Sequence, residues 1–256
     1  MPGSEAPMGK YIYCIIRSSD RRQLPCLGIG ERGDVVYSVH HSDLAAVVSD
    51  SPAVEYERSR RNMMAHTLVL EEVMREHTIL PVQFGIVAPG AKAIKEKVLQ
   101  RRYDELSDLL SEMEGRIEVG LKAFWYENAI FPEVVAENPP IRQLRDGLMG
   151  RSAEETYYER IRLGEMIESA IGKKRDEDAE RILSALRPLA DETRLNRVIT
   201  DRMILNAAFL VEEVRQEAFD GALDALDEEM SKRVLFKYVG PVPPYNFVSI
   251  VVRWDD

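Results

Sequence analysis

Cysteine is scarce in this 256-residue chain: only Cys14 and Cys26 occur. Two thiols cannot build the bridged framework of a small secreted domain, and neither has a metal-ligand partner at useful spacing. The default is therefore a reducing cytoplasm. Cys14 sits inside the apolar run Tyr11–Ile16 and reads as a small buried hydrophobe. Positive charge is also short, with 34 Lys and Arg against 44 Asp and Glu, a formal net charge of −10. A field of that sign repels phosphate backbones and argues against general nucleic-acid binding. The clusters Arg58-Arg60-Arg61 and Lys173-Lys174-Arg175 are short, lie among acids, and read as solvated helix faces or ends. Long apolar runs are missing too. The longest uncharged stretches, His77–Ala91 and Tyr238–Val252, hold 15 residues each and are broken by proline and glycine. Both fall short of the roughly 20 residues that span a membrane. Residues 1–7 carry neither a basic region nor an apolar core and read as a disordered leader with no export signal.

What remains is 45% apolar and 30% charged, a globular composition. Tyr11–Ile16 reads as a strand, residues 17–33 as a long polar loop, and Val35–Val39 with Leu44–Ser49 as a hairpin turning through His40–Asp43. From Glu55 the period changes: Met63, His66, Leu70, Val73 and His77 mark one helical face. Thr78–Phe84 reads as a buried strand closed by Gly85. Pro89-Gly90 opens a helix carrying Leu99, Tyr103, Leu106, Leu110 and Met113, stopped at Gly115. Ile117–Tyr126 is a further strand, so residues 10–126 suggest an α+β sandwich.

Residues 127–140, rich in proline and asparagine, read as a boundary. Two apolar stripes follow, Leu163-Ile167-Ala170-Ile171 and Ile182-Leu183-Leu186-Leu189. Gly172 and the charged run to Asp178 divide them into a helical hairpin. Thr193–Ile199 and Met203–Val211 pair across Thr200–Arg202. A helix over Glu212–Met230 buries Phe219, Leu223, Leu226 and Met230. Val234–Val239 and Phe247–Trp254 are the last strands, and this tail resembles a partial ferredoxin-like unit.

Few residues form a chemical constellation. Gly28-Ile-Gly-Glu-Arg-Gly33 matches G-x-G-x-x-G, but strand-forming residues follow where a dinucleotide site needs a helix. It reads as a flexible connection into the hairpin. His40 and His41 are adjacent and point to opposite faces of a strand. His66 and His77 are eleven residues apart, roughly 16 Å along a helix axis, and cannot share an ion. His66 reads instead as a core-edge imidazole with one hydrogen-bond partner. Glu118 opens an apolar strand and is either an ion-pair member or a base with raised pKa. No nucleophile or second acid is set beside it, so the chain holds no complete catalytic set.

Three segments carry a resemblance. The first is His66 followed by Ile79-Leu80-Pro81-Val82-Gln83-Phe84-Gly85. The second is Glu118-Val119-Gly120-Leu121-Lys122. The third is Gly240-Pro241-Val242-Pro243-Pro244-Tyr245-Asn246-Phe247-Val248. Together they resemble the GvpL/GvpF family of gas vesicle proteins. Tyr11-Ile12-Tyr13 and Asn206–Val211 fit as well, while Val242 stands where the family commonly has tryptophan. The resemblance spans nearly all of residues 10–252. It implies a non-enzymatic, cytoplasmic and vesicle-associated accessory protein of gas vesicle formation. Such a protein is expected to need no cofactor or metal and to contact the very hydrophobic major shell protein and other vesicle accessory proteins. The motif positions make better sense as architecture than as catalytic sites: Pro81 lacks an amide donor and suits a strand start or edge, and the prolines after Gly240 stiffen a strand connection.

The expected fold is α+β: two ferredoxin-like domains, 10–126 and 191–254, with a linker and helical hairpin at 127–190 packed with the second. The surfaces preferred for the partner are the hairpin and the C-terminal half. The alternative is a small-molecule-binding regulatory or catalytic module on ferredoxin-like domains, which requires a concave site with convergent polar groups.

Overall fold

The computed structural model describes residues 8–52 and 55–254; the expected leader at residues 1–7 lies outside them. Packing divides the described residues into two compact units, one running to Glu118 and resuming at Pro241, the other Val119–Gly240. The sequence placed its divisions at 127 and 190 instead.

The first unit is built on β1 (Met8–Arg17), whose residues Tyr11–Ile16 are all buried, the signature of a central strand covered on both faces. It lies between β4 (Leu44–Pro52) and β5 (Ile79–Pro81), and β3 (Val35–His41) and β2 (Gln23–Leu27) complete the order β2-β3-β4-β1-β5. A two-residue strand, β6 (Val87–Ala88), pairs with the start of β1. The β3–β4 hairpin forms where expected, with its turn tightened to Ser42-Asp43 and Ser42 at φ 54°. The polar stretch before it is not all loop, since β2 pairs with β3.

Helix α1 (Arg60–Met74) starts at Ser59, whose hydroxyl accepts from the Asn62 amide. It buries His66, Val69, Leu70 and Val73; Met63 is exposed and His77 lies past its end. The helix expected after Pro89 is broken into three. A short α2 (Ala91–Ala93) runs into a π-helical stretch, Ile94–Gln100, and after Arg101-Arg102 the chain resumes as α3 (Tyr103–Met113). Thr78–Phe84 contributes only three residues of strand. The expected last strand, Phe247–Trp254, is no strand. Residues 248–253 alternate buried and exposed as a strand would. Only Ile250 makes a ladder contact, a parallel bridge to Val82. The Val251 and Trp254 carbonyls take Arg102 and Lys97 side chains instead of a neighbouring strand.

The second unit holds a four-stranded sheet, order β10-β7-β9-β8, from β7 (Arg116–Trp125), β8 (Glu192–Leu195), β9 (Met203–Glu212) and β10 (Val234–Val242). Residues 127–140 are helical, not a linker: α4 (Glu127–Glu137) is followed by α5 (Pro139–Gly147), with proline in its first turn as helix geometry favours. The expected helical hairpin is one helix, α6 (Tyr157–Leu186), 30 residues long. Gly172 sits inside it. The charged run does not break it, because Lys174 and Asp178 find partners on the packed side, described below. The helices that pack against α6 are α4, from the stretch read as a boundary, and α5, which begins at its last two residues. Helix α7 (Gln216–Met230) buries Phe219, Leu223, Leu226 and Met230 as its period predicts, and Phe219 meets Phe209 of β9 edge-on at 5.1 Å. The β8–β9 hairpin pairs Glu192–Leu195 with Ala207–Leu210, leaving a longer connection than Thr200–Arg202.

Candidate functional site

Alternation along β1 sends Tyr11 and Tyr13 to the same face, toward α1. The Tyr11 hydroxyl lies 3.0 Å from His66 Nδ1 and accepts from the Gly85 amide at 3.1 Å. Both contacts are satisfied when Tyr11 donates to Nδ1, which leaves the imidazole proton on Nε2. Nε2 has no partner among the described residues. The His66 ring stacks on Tyr13 at 5.6 Å and meets Phe84 edge-on at the same distance. Tyr56 meets Tyr11 at 5.3 Å and its hydroxyl bonds Ser51. Burial dominates the electrostatics: it lowers the His66 pKa to about 4, raises Tyr13 to about 12, and pushes Tyr11 up as well. At neutral pH this is an uncharged aromatic cluster.

The glycine motif closes the same cluster. Tyr13 accepts from the Ile29 amide at 2.8 Å and bonds Ser49 at 2.9 Å. A Cβ on Gly28 would lie 2.5 Å from Ser49 Oγ, and one on Gly30, at φ 91°, would lie 3.2 Å from the Tyr56 ring. These glycines are required by close packing and a left-handed turn. A strand precedes the motif, but a strand also follows it, so no helix N-terminus is available to hold a phosphate.

Within the first unit, a second contact ties Asn246 of the closing motif to Glu118. Glu118, buried, accepts from the Asn246 amide at 2.9 Å and from Asn246 Nδ2 at 2.5 Å. Burial raises its pKa, and these two bonds pull partly the other way. Pro81, paired with Cys14, also offers its carbonyl to the Ile250 amide.

The structure thus brings His66, Phe84 and Gly85 together and joins Glu118 to the closing segment. Leu80 and Pro81 lie buried in β5; Pro243 and Pro244 are buried, and their carbonyls cap the turn by accepting from Tyr245, Phe247 and Val248. Pro241 is exposed, Phe247 half-buried, and Tyr245 41% exposed, its hydroxyl reaching Thr67 of α1. Gly240, in the second unit, packs on Val119, where a Cβ would approach Cγ1 to 2.8 Å. Tyr56, Ser49 and Asn246 were not singled out from sequence; the period-two placement of Tyr11 and Tyr13 was the available signal.

The second unit has its own buried polar network. Asp178 on α6 accepts from Trp125 Nε1 at 2.7 Å and from both Arg233 terminal nitrogens at 2.8 Å. Arg233 also grips Glu133 of α4, which pairs with Lys174 at 2.7 Å. Every charge in it is paired, as an interior network requires. Among the described residues no group of three His, Cys, Asp or Glu could hold a metal ion.

The second unit's surface carries an open groove of about 440 Å³ between α5 and the first half of α6. Pro140, Leu144, Leu148 and Met166 line it, with Arg151 and Glu159 at its rim. A further hollow of about 320 Å³ shares Pro140 and Met166 and continues along α6 to Ala170. Met149 (74% exposed), Tyr157, Tyr158 (80%) and Ile161 are exposed alongside. The stripe Leu163-Ile167-Ala170-Ile171 is only half-buried, whereas Ile182, Leu183 and Leu186 farther along α6 are buried.

A family model described as gas vesicle synthesis protein GvpL/GvpF matches residues 9–249. Gas vesicle protein F of Streptomyces sp. (strain CB03234) is 32% identical over 244 residues, covering 94% of this chain and 100% of that protein. Gas vesicle protein F of Nostoc sp. is 28% identical over 244 residues, 94% of this chain and 98% of its own. The crystal structure of GvpF from Anabaena sp. superposes with a TM-score of 0.81 at 29% identity, over 94% of this chain and 98% of that one. That of GvpF from Microcystis aeruginosa gives 0.75 at 27% identity, over 93% and 98%.

Proposed function

Because this chain belongs to the GvpL/GvpF family of gas vesicle synthesis proteins, we propose that it is a non-enzymatic accessory protein of gas vesicle formation that binds the hydrophobic major shell protein and assists its assembly. The observation that carries this reading is the uncovered apolar surface of the second unit, the α5–α6 groove with Met149, Tyr157, Tyr158 and Ile161 beside it. An exposed apolar surface bordered by Arg151, Glu159 and Arg162, on a chain of net charge −10, suits a protein that stays soluble while covering an aggregation-prone subunit. A groove between two helices accepts the apolar face of a third. Its lining from Arg151 to Met166 falls within the hairpin preferred for the partner, while its α5 side, residues 140–148, lies before it.

Two further observations support the reading. His66 and Glu118 carry the acid–base chemistry among the motif positions, and both spend their bonds inward, on Tyr11 and Asn246. In the second unit, the element order β-α-β-β-α-β and strand order β10-β7-β9-β8 support a ferredoxin-like description, with the helices α4, α5 and α6 in its first crossover. Residence in the cytoplasm and at the vesicle, and contact with other vesicle accessory proteins, follow from the same reading. No helix of the described residues is long and apolar enough to cross a membrane. Co-expression with the shell protein tests the proposal: the soluble fraction of the shell protein should rise when this chain is present, and an unchanged fraction would overturn it.

A further inference from the structure

The first unit holds a basic cleft that the aromatic cluster and the apolar groove do not use. It encloses about 380 Å³, and Lys97, Arg101, Arg102 and Arg253 line it together with Val251 and Val252. One wall is formed by the π-helical stretch Ile94–Gln100 and the turn after it, the other by residues 251–253. Lys97 lies in the π-helical stretch and Arg102 two residues past its end, and both line the cleft. Both contact one extended segment, Lys97 the Trp254 carbonyl at 2.8 Å and Arg102 the Val251 carbonyl at 3.0 Å. Stretches of π-helix are rare and occur frequently at functional sites.

The charge in the cleft is only partly offset. Glu105 grips Arg102 through two bonds of 2.7 Å. Arg101 and Arg253 are exposed and have no hydrogen-bond or ion-pair partner among the described residues. The result is a positive island, with aliphatic walls, on a chain whose net charge is −10. Two guanidinium groups present fork-shaped donors that match carboxylates bidentately.

We propose that this cleft binds a carboxylate-rich peptide segment of a partner protein, with Arg101 and Arg253 as the recognising cations. An open cleft walled by valines suits a peptide, which places aliphatic stems against the wall and carboxylates on the guanidiniums, better than a bare anion, which needs an enclosing pocket. The sequence continues past Trp254 into Asp255 and Asp256, so the chain's own acids are the competing occupant.

Fluorescence anisotropy with a labelled hexaglutamate peptide at low salt tests this on the full chain. The wild type should bind, and added salt should weaken binding as it screens the exposed charges. The double variant Arg101→Gln/Arg253→Gln should lose about tenfold or more in affinity while its melting temperature stays unchanged. Arg58→Gln/Arg60→Gln, removing two cations elsewhere on the unit, should bind like wild type. The proposal is overturned if the wild type does not bind, if Arg101→Gln/Arg253→Gln binds equally well, or if inorganic phosphate displaces the peptide at equal concentration. It is also overturned if only the Asp255→Asn/Asp256→Asn variant binds, since the cleft would then belong to the chain's own acids.

Discussion

At the residue scale, the histidine and the glycines owe their places to packing. His66 was legible as a core-edge imidazole with one partner, because its neighbours on the helical period are apolar. Its partner Tyr11 lies 55 residues away, and no local pattern encodes that pairing. The consequence is a pH dependence of stability. The folded His66 pKa is about 4, against about 6.5 for an ordinary imidazole. Between these values the unfolded chain binds a proton that the folded chain does not, so stability falls as pH drops from about 6.5 toward about 4, by about 3 kcal/mol in all. Urea unfolding across this range should show that loss in the wild type and lack that component in His66→Phe; identical pH profiles for the two would contradict it. Gly28 gives a second test. An added Cβ there meets the Ser49 side chain at 2.5 and 2.6 Å, so Gly28→Ala should destabilise by about 1–3 kcal/mol. A nucleotide-binding loop would instead keep its stability and lose ligand affinity, and calorimetry with NAD separates the two.

At the element scale, period was enough where alternation or helical spacing runs uninterrupted. Strands β1, β3, β4, β7 and β9 and helix α7 stand close to where alternation or helical spacing puts them. The misread elements share a cause: glycine, proline and charge act as breakers only when tertiary partners do not override them. Residues 127–140 are helical despite Pro132, and Lys174 and Asp178 extend α6 through the run read as a turn because Glu133, Trp125 and Arg233 receive their charges. Phe247–Trp254 has strand periodicity without a strand, since side chains satisfy two of its carbonyls. The continuity of α6 is testable at Gly172, where a Cβ meets nothing within 4 Å. Gly172→Ala should stabilise by about 1 kcal/mol, the difference between the two residues inside a helix. A hairpin turning at Gly172 in a left-handed conformation would make the same substitution destabilising, and thermal melting decides between them.

At the scale of the whole molecule, the acidic charge and the uncovered helical surface belong to one account. A net charge of −10 counters self-association through exposed Tyr157, Tyr158, Met149 and Ile161. The motif positions were readable as family marks. The groove was not, because it forms between α5, a helix that the sequence did not set apart after the boundary at 127–140, and the half of α6 whose stripe stays half-covered. The most direct measurement is co-purification of the full-length chain with the major shell protein, comparing wild type with Tyr157→Ser/Tyr158→Ser. Both tyrosines are exposed, so melting temperature should hold while capture of the shell protein falls about tenfold, the loss of about 1.4 kcal/mol of binding. Undiminished capture by the variant, or no capture by the wild type, would contradict the assignment of this surface to the shell protein.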